Sequence, residues 1–304
     1  MKKFLIRTSL FILMVTVAMC VLDVVLTKKL NHYEYRPMLG WNEIYDGRAS
    51  ADIVVMGNSR AWVHYSPAIL DSVLLCHTYN LGIDGSAFNR QYSRYKIYRM
   101  YDKKPKVILQ NIDFVTLGYT TGYEQFQYFP YFYRRDMQEL VVPYEEFTFA
   151  DKYLPFYRYA NFGIKRIFKT KVAPVNGYIG KEEPWNGTRL RKKKSFKFTV
   201  DSTTLEQFEQ YLAETHAEGI QMIFVHAPIY QEITQKLEGR DEMWRLYKRL
   251  AEQYQIPILN YEEDSLGMDT NYLYNATHLN KTGSEIFSRK LANDLKEMGI
   301  GQYL

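Results

Sequence analysis

With 304 residues, 46% of them hydrophobic and 24% charged, the chain is long and apolar enough to bury a large core, which excludes a disordered or fibrous protein. Much of its net charge of +5 sits in one run, Arg189 to Lys194 (RLRKKK), too local for a broad nucleic-acid-binding face. That run reads as a solvated loop or as a contact for an anionic glycan or lipid headgroups. Two cysteines, Cys20 and Cys76, are too few for a disulfide framework, and no set of Cys, His and carboxylates has metal-ligand spacing, so no metal and no other cofactor is expected.

Lys2, Lys3 and Arg7 precede the apolar run Leu10 to Leu22, which Asp23 and Lys28-Lys29 close. From Phe4 to Leu26 the segment could cross a bilayer with its polar ends snorkelling. Residues 1–30 are therefore expected to be a membrane anchor, with a cleaved signal segment as the alternative. The bulky Met19 before Cys20 argues against a lipoprotein signal, and no A-x-A-like cleavage site follows. The basic residues weakly favour a cytoplasmic N-terminus and an extracytoplasmic, periplasmic or extracellular, remainder. Residues 31–50 are polar and aromatic without a period and read as a connector to one domain over 51–304.

In that domain, Asp52 to Met56 is an apolar, β-branched run stopped by Gly57-Asn58, the pattern of a buried parallel strand ending in a tight turn. Ser59 is thereby presented at a strand's carboxyl end, where open α/β sheets hold their ligands. Ser66-Pro67 should start a short helix to about Ser72; Leu75 to Tyr79 gives a second strand, followed by the glycine-rich turn Asn80 to Ser86. A basic, tyrosine-rich helix from Asn89 to Tyr101 leads to a third strand, Lys106 to Asn111. From about 118 to 200 the alternation fails, and Tyr119, Tyr123, Phe126, Tyr128, Phe129, Tyr131, Phe132 and Tyr133 crowd into an insertion or lid, read as packing or as a surface for sugar rings.

Strand and helix then resume. Thr203-Thr-Leu-Glu206 is a capping box for a helix burying Leu205, Phe208 and Leu212 as far as Gly219. Gln221 to Val225 is the fourth strand, with His226 at its end. A helix from Asp241 to Tyr254 carries Met243, Leu246, Tyr247 and Leu250, and Ile256 to Leu259 is a fifth strand that Pro257 assigns to an edge. Thr282-Gly-Ser-Glu285 should cap a last helix burying Ile286, Phe287, Leu291 and Leu295, with His278 in the loop before it. The fold class is thus α/β: a five-stranded parallel sheet flanked by helices in three layers, with an aromatic-rich insertion.

Loops carrying Ser59, Gly82 to Ser86 and Asn111 could converge on one rim with His278, supplying a nucleophile, a base and oxyanion donors. On these residues the sequence resembles the SGNH (GDSL-type) hydrolase family. Gly57-Asn-Ser59 is similar to its nucleophile block, Asn80-Leu-Gly-Ile-Asp-Gly85 to its oxyanion glycine block, and Asn275-Ala-Thr-His278 to its Asp-x-x-His block, with Asn275 replacing the acid. Gln110-Asn111-Ile-Asp113 stands where the family usually reads Gly-x-Asn-Asp. The resemblance implies Ser59 as nucleophile, His278 as base beside Asn275, and Gly85 and Asn111 as oxyanion donors. It also implies an acyl donor and an envelope glycan as acceptor, with room for a membrane-bound acyl-transfer partner, as in bacterial enzymes that decorate envelope polymers. Transfer and hydrolysis both fit. So does a catalytically silent binding or assembly protein on the same fold, which Asn275 makes credible. His32, His64, His77 and His216 read as structural or surface residues, with His226 the reserve candidate for the base. Asp264 and Asp269 are alternative carboxylates for His278.

Overall fold

The computed structural model describes residues 1–31, 36–119, 125–160, 176–187 and 196–304. They fall into two compact units, Met1–Asn42 with Thr121–Ala173, and Glu43–Thr120 with Pro174–Leu304. The Arg189 to Lys194 run, His32 and Tyr123 lie outside the described residues.

In the first unit α1 (Lys2–Leu30) is one continuous 29-residue helix, long and apolar enough to cross a membrane. Its apolar side chains from Phe4 to Val25 lie mostly on the surface. The expected irregular connector instead contains α2 (Arg36–Tyr45), which buries Met38, Trp41 and Ile44. Those three positions, spaced by three, share a helix face and supply the periodicity that the flanking aromatic residues masked. The aromatic stretch is the core of this unit. Trp41 stands edge-on to Tyr128 at 5.7 Å and donates to Gln127 at 3.1 Å. Arg158 is fully buried, donates to Asp23 of α1 at 2.6 Å and lies 4.6 Å from the Tyr133 ring centroid and 4.7 Å from that of Tyr159. Asp23 also accepts the Phe156 N–H at 2.7 Å.

The second unit is built on β1 (Ile53–Met56), which runs into α3 (Ser59–His64) and α4 (Pro67–Leu74), then β2 (Thr78–Asn80), α5 (Phe88–Tyr101) and β3 (Val107–Asn111). After the insertion come α6 (Ser202–Ala217), β4 (Gln221–His226), α7 (Arg240–Tyr254) and β5 (Ile258–Asn260). The hairpin β6 (Leu273–Asn275) and β7 (His278–Leu279) precedes α8 (Lys281–Glu297). The sheet is parallel in the order β2-β1-β3-β4-β5, with Ile53 opposite both Thr78 and Val107, and Val107 opposite Gln221. β5 is at the edge, as Pro257 requires.

Side chains alternate across the strands, so each face has its own core. Ile53, Val55, Val107, Leu109, Ile223 and Val225 pack with Leu70, Phe287, Leu291 and Leu295 from α4 and α8. The opposite face is aromatic: Phe208 of α6 lies 4.7 Å from Phe88 and 5.8 Å from Phe224, and Phe224 lies 6.1 Å from Tyr247 of α7. The result is the three-layer α/β arrangement.

Several boundaries differ from the sequence reading. β2 starts only at Thr78, because Leu75 closes α4 in a left-handed conformation (φ 55°), donates to Asp71 and is 89% exposed. Asp201 rather than Thr203 caps α6, accepting the Thr204 N–H, and Asn280 rather than Thr282 caps α8, accepting the Gly283 N–H. Ile286 is 44% exposed, one step off the face that buries Phe287 and Leu291. Cys76 is a free, half-buried thiol whose pKa burial pushes up to about 11.

Candidate active site

Strand order reverses direction at β1, since β2 lies on one side of it and β3 on the other, and open α/β sheets place their ligands at the carboxyl ends of such a switch point. The chain turns sharply at Gly57, whose φ is +149° and where a Cβ would meet Ala61 Cβ at 2.6 Å and Asn111 Cβ at 2.9 Å. No side chain fits. Asn58 then caps α3, its Oδ1 accepting the Arg60 N–H at 2.9 Å while its Nδ2 donates to Asp113 Oδ2 at 2.8 Å. Ser59 is thus the first residue of a helix, held from below.

The hairpin β6–β7 brings His278 to it. His278 Nε2 is 2.7 Å from Ser59 Oγ, and His278 Nδ1 is 2.9 Å from Asn275 Oδ1. Asn275 Oδ1 also accepts the Thr277 N–H at 2.9 Å and the Thr277 hydroxyl at 3.2 Å, which fixes the amide with its oxygen toward the ring. An oxygen facing Nδ1 makes Nδ1 the protonated nitrogen, so Nε2 carries the lone pair and accepts the Ser59 O–H. Tyr274 stacks on the imidazole at 5.2 Å, and His64 meets it edge-on at 5.9 Å from the buried side. His64 is itself fully buried, and its Nε2 accepts the Leu279 N–H at 3.0 Å. Burial, followed by the charges of Arg60 and His278, holds its pKa well below the usual histidine value.

Beneath Ser59 lies a charged layer. Asp113 is fully buried and accepts from Asn58, from Asn111 at 3.3 Å, from the N–H groups of Val115 and Thr116 at 2.9 and 3.1 Å, and from the Thr116 hydroxyl. Burial favours the neutral acid, but the Arg60 guanidinium 3.4 Å away, with these donors, outweighs it and keeps the carboxylate charged. Arg60 also donates to the Ala227 carbonyl.

The structure brings Ser59, His278 and Asn275 together and gives Asn111 and His226 other partners. Asn111 is fully buried, with its amide oxygen accepting from Tyr65 at 2.9 Å and its nitrogen donating to Asp113, so it braces the turn beneath Ser59. His226 is buried too. Its Nδ1 donates to the Ile112 carbonyl at 2.9 Å, and burial with the Arg60 charge pushes its pKa down to about 4. In the Asn80 to Gly85 loop the close approach is at Gly82, where a Cβ would lie 2.5 Å from the Trp62 nitrogen, while Gly85 stands at φ +63°. Asp264 pairs with Lys290 and accepts the Leu266 N–H, and Asp269 accepts the Asn271 N–H, while Nδ1 of His278 has Asn275 Oδ1 at 2.9 Å and Thr277 Oγ1 at 3.0 Å beside it.

Arg60 and His64 escaped sequence reasoning as parts of the site, and Asn58, Asp113 and Thr277 stood in its blocks without a role of their own. Two signals were available: an asparagine followed by a helical Ser-Arg-Ala-Trp-Val-His stretch marks an N-cap, and a threonine two residues after Asn275 suits an Asx turn.

No family model matches the sequence, and no curated protein matches it. Solved structures similar to the chain include two with GDSL names. A protein assigned to the G-D-S-L lipolytic family from Desulfitobacterium hafniense shares 11% identity over 79% of this chain and 97% of its own, with a TM-score of 0.41. A protein from Streptococcus pneumonia named as a platelet activating factor shares 12% over 96% and 98%, TM-score 0.44. A GDSL-like lipase from Bacteroides thetaiotaomicron shares 12% over 85% and 98%, TM-score 0.40.

Proposed function

We propose that the chain is a serine-dependent esterase or acyltransferase that moves an acyl group to or from a hydroxyl of an extracytoplasmic glycan or other envelope polymer. The observation that carries this reading is the hydrogen-bonded series Ser59 Oγ, His278 Nε2, His278 Nδ1, Asn275 Oδ1, at 2.7 and 2.9 Å, on the rim of the sheet. Ser59 Oγ attacks the acyl carbonyl carbon while His278 Nε2 takes its proton. The oxyanion so formed is met by N–H groups that the first helical turn leaves unpaired, that of Ser59 among them, with Gly85 as the second donor. Collapse breaks the bond to the alcohol oxygen, which leaves with the proton from His278. Water or a glycan hydroxyl then attacks the acyl-serine, giving hydrolysis or transfer. The extracytoplasmic setting rests on α1.

The test is labelling of the full-length protein in detergent with a fluorophosphonate, followed by mass spectrometry. Label at Ser59, absent after His278→Ala, is the expected result; an unlabelled Ser59 beside a labelled control esterase overturns it. A second reading, a catalytically silent binding or assembly protein, is favoured by the amide at Asn275, and that outcome would establish it.

A further inference from the structure

At 1.5 Å per residue the apolar part of α1 from Phe4 to Leu22 rises about 28 Å, which matches a hydrocarbon core of about 30 Å and puts Asp23 at its far boundary. From that level onward one stripe of the helix changes character. Asp23, Leu26, Thr27 and Leu30 are wholly or partly buried, at the spacing of a single helix face, while Leu22, Val24, Val25 and Lys28 stay exposed around them. Residues 156–159 cover the stripe: Asp23 accepts the Phe156 N–H and the Arg158 guanidinium, and the Thr27 and Tyr159 hydroxyls bond at 2.7 Å.

The chain leading into this clamp carries its apolar side chains outward. Thr148 and Asp151 form a reciprocal cap on the short helix Phe149–Tyr153, which aligns Phe149 and Tyr153 four residues apart with their ring centroids 4.7 Å from each other. Phe149 is 74% and Tyr153 66% exposed, and Leu154, Tyr157 and Tyr133 are exposed as well. Tyr133 is held at the level of Asp23, since its hydroxyl accepts from Arg158 at 3.0 Å. Large apolar side chains exposed around one buried ion pair mark a surface for a partner rather than for water. Tyrosine suits a membrane boundary, with its ring in the apolar layer and its hydroxyl among the headgroups.

We propose that residues 149–157, with Tyr133, form an aromatic collar that lies in the headgroup boundary of the bilayer that α1 is long enough to cross. The occupant is lipid because the collar adjoins the exposed apolar surface of α1 at the height where that surface ends, and Lys28 and Lys29 follow in the last turn of the helix, as anionic headgroups favour. The collar adds to the anchor: a lone span leaves a unit free to tilt, and a second contact at the interface does not.

The experiment reconstitutes the full-length protein in phosphatidylethanolamine–phosphatidylglycerol vesicles that contain a phospholipid with a photoactivated diazirine either near the headgroup or at the chain end, and maps the adducts by mass spectrometry. Expected are adducts on α1 from both lipids and on 149–157 from the headgroup-proximal lipid alone. Phe149→Ser combined with Tyr153→Ser should lower the yield on 149–157 by about tenfold or more, the partition lost with two rings, while α1 keeps its own. Labelled α1 beside an unlabelled 149–157 overturns the collar and shows protein or water on that face. Equal yields in wild type and the double variant overturn the two rings as its basis, and absence of adducts on both segments overturns the span and the collar together.

Discussion

At Asn275 an amide stands where a Ser-His pair gains most from a carboxylate. Its oxygen holds the imidazole tautomer, but it carries no charge to offset the imidazolium that the proposed proton transfer from Ser59 would form. Asn275→Asp is therefore expected to raise kcat toward 4-nitrophenyl acetate by about tenfold, against a wild type of low turnover. A second residue acts through its neighbour. His64 accepts the Leu279 N–H and backs the His278 ring. His64→Leu should lower kcat about tenfold or more with little change in KM, because a misplaced base costs rate rather than binding. His64→Gln, whose amide oxygen can accept the same N–H, should recover much of it. The residues proposed to carry the chemistry were legible because Ser59 follows a strand-end turn and Asn275 and His278 stand just ahead of a capped helix, each in a short, recognisable string. The layer that supports them was not. Asp113 and Arg60 are ordinary surface types in a linear sequence, and only burial at 0% and 3% exposure makes them partners.

Among the elements, the aromatic face of the sheet rests on Phe208, which touches Phe88, Tyr211, Phe224 and Tyr247 from the middle of α6. Phe208→Ala should cost about 3–5 kcal/mol in denaturant unfolding, since four aromatic neighbours cannot close the void together. The strands and long helices were readable from periodicity, but their ends were not. Asp201 stands two residues ahead of Thr203 and Asn280 two ahead of Thr282, so each helix start offers competing caps. The side chain nearer the free N–H groups wins in three dimensions, not in sequence order. Leu75 shows the opposite failure: an apolar residue expected in a strand is spent on ending a helix.

For the whole molecule, the buried histidines set a pH dependence. His226 titrates near 4 and His64 well below its ordinary value, whereas both bind protons near 6.5 when unfolded. Between those values the unfolded chain holds more protons, so stability is full above about pH 6.5 and falls toward pH 4, by up to about 1.4 kcal/mol per pH unit per histidine. Asp113, held low, adds to the loss at still lower pH. Asp102 opposes it: burial raises its carboxyl to about 6, so its contribution is present at low pH and lost as pH rises through 6. Thermal melts between pH 4 and 8 should show the fall, and His226→Gln should flatten it; a profile of equal slope in both proteins would show that His226 titrates normally.

The pairing of Asp23 with Arg158 makes α1 a structural member of its own unit. A peptidase that removed the whole helix would leave a fully buried guanidinium without its carboxylate, a loss of about 3–5 kcal/mol where one partner of a buried pair is deleted. Cleavage after α1 is therefore expected to destabilise this unit. The helix is expected to stay on the chain, and immunoblots of cell fractions should find one full-length species that only detergent extracts.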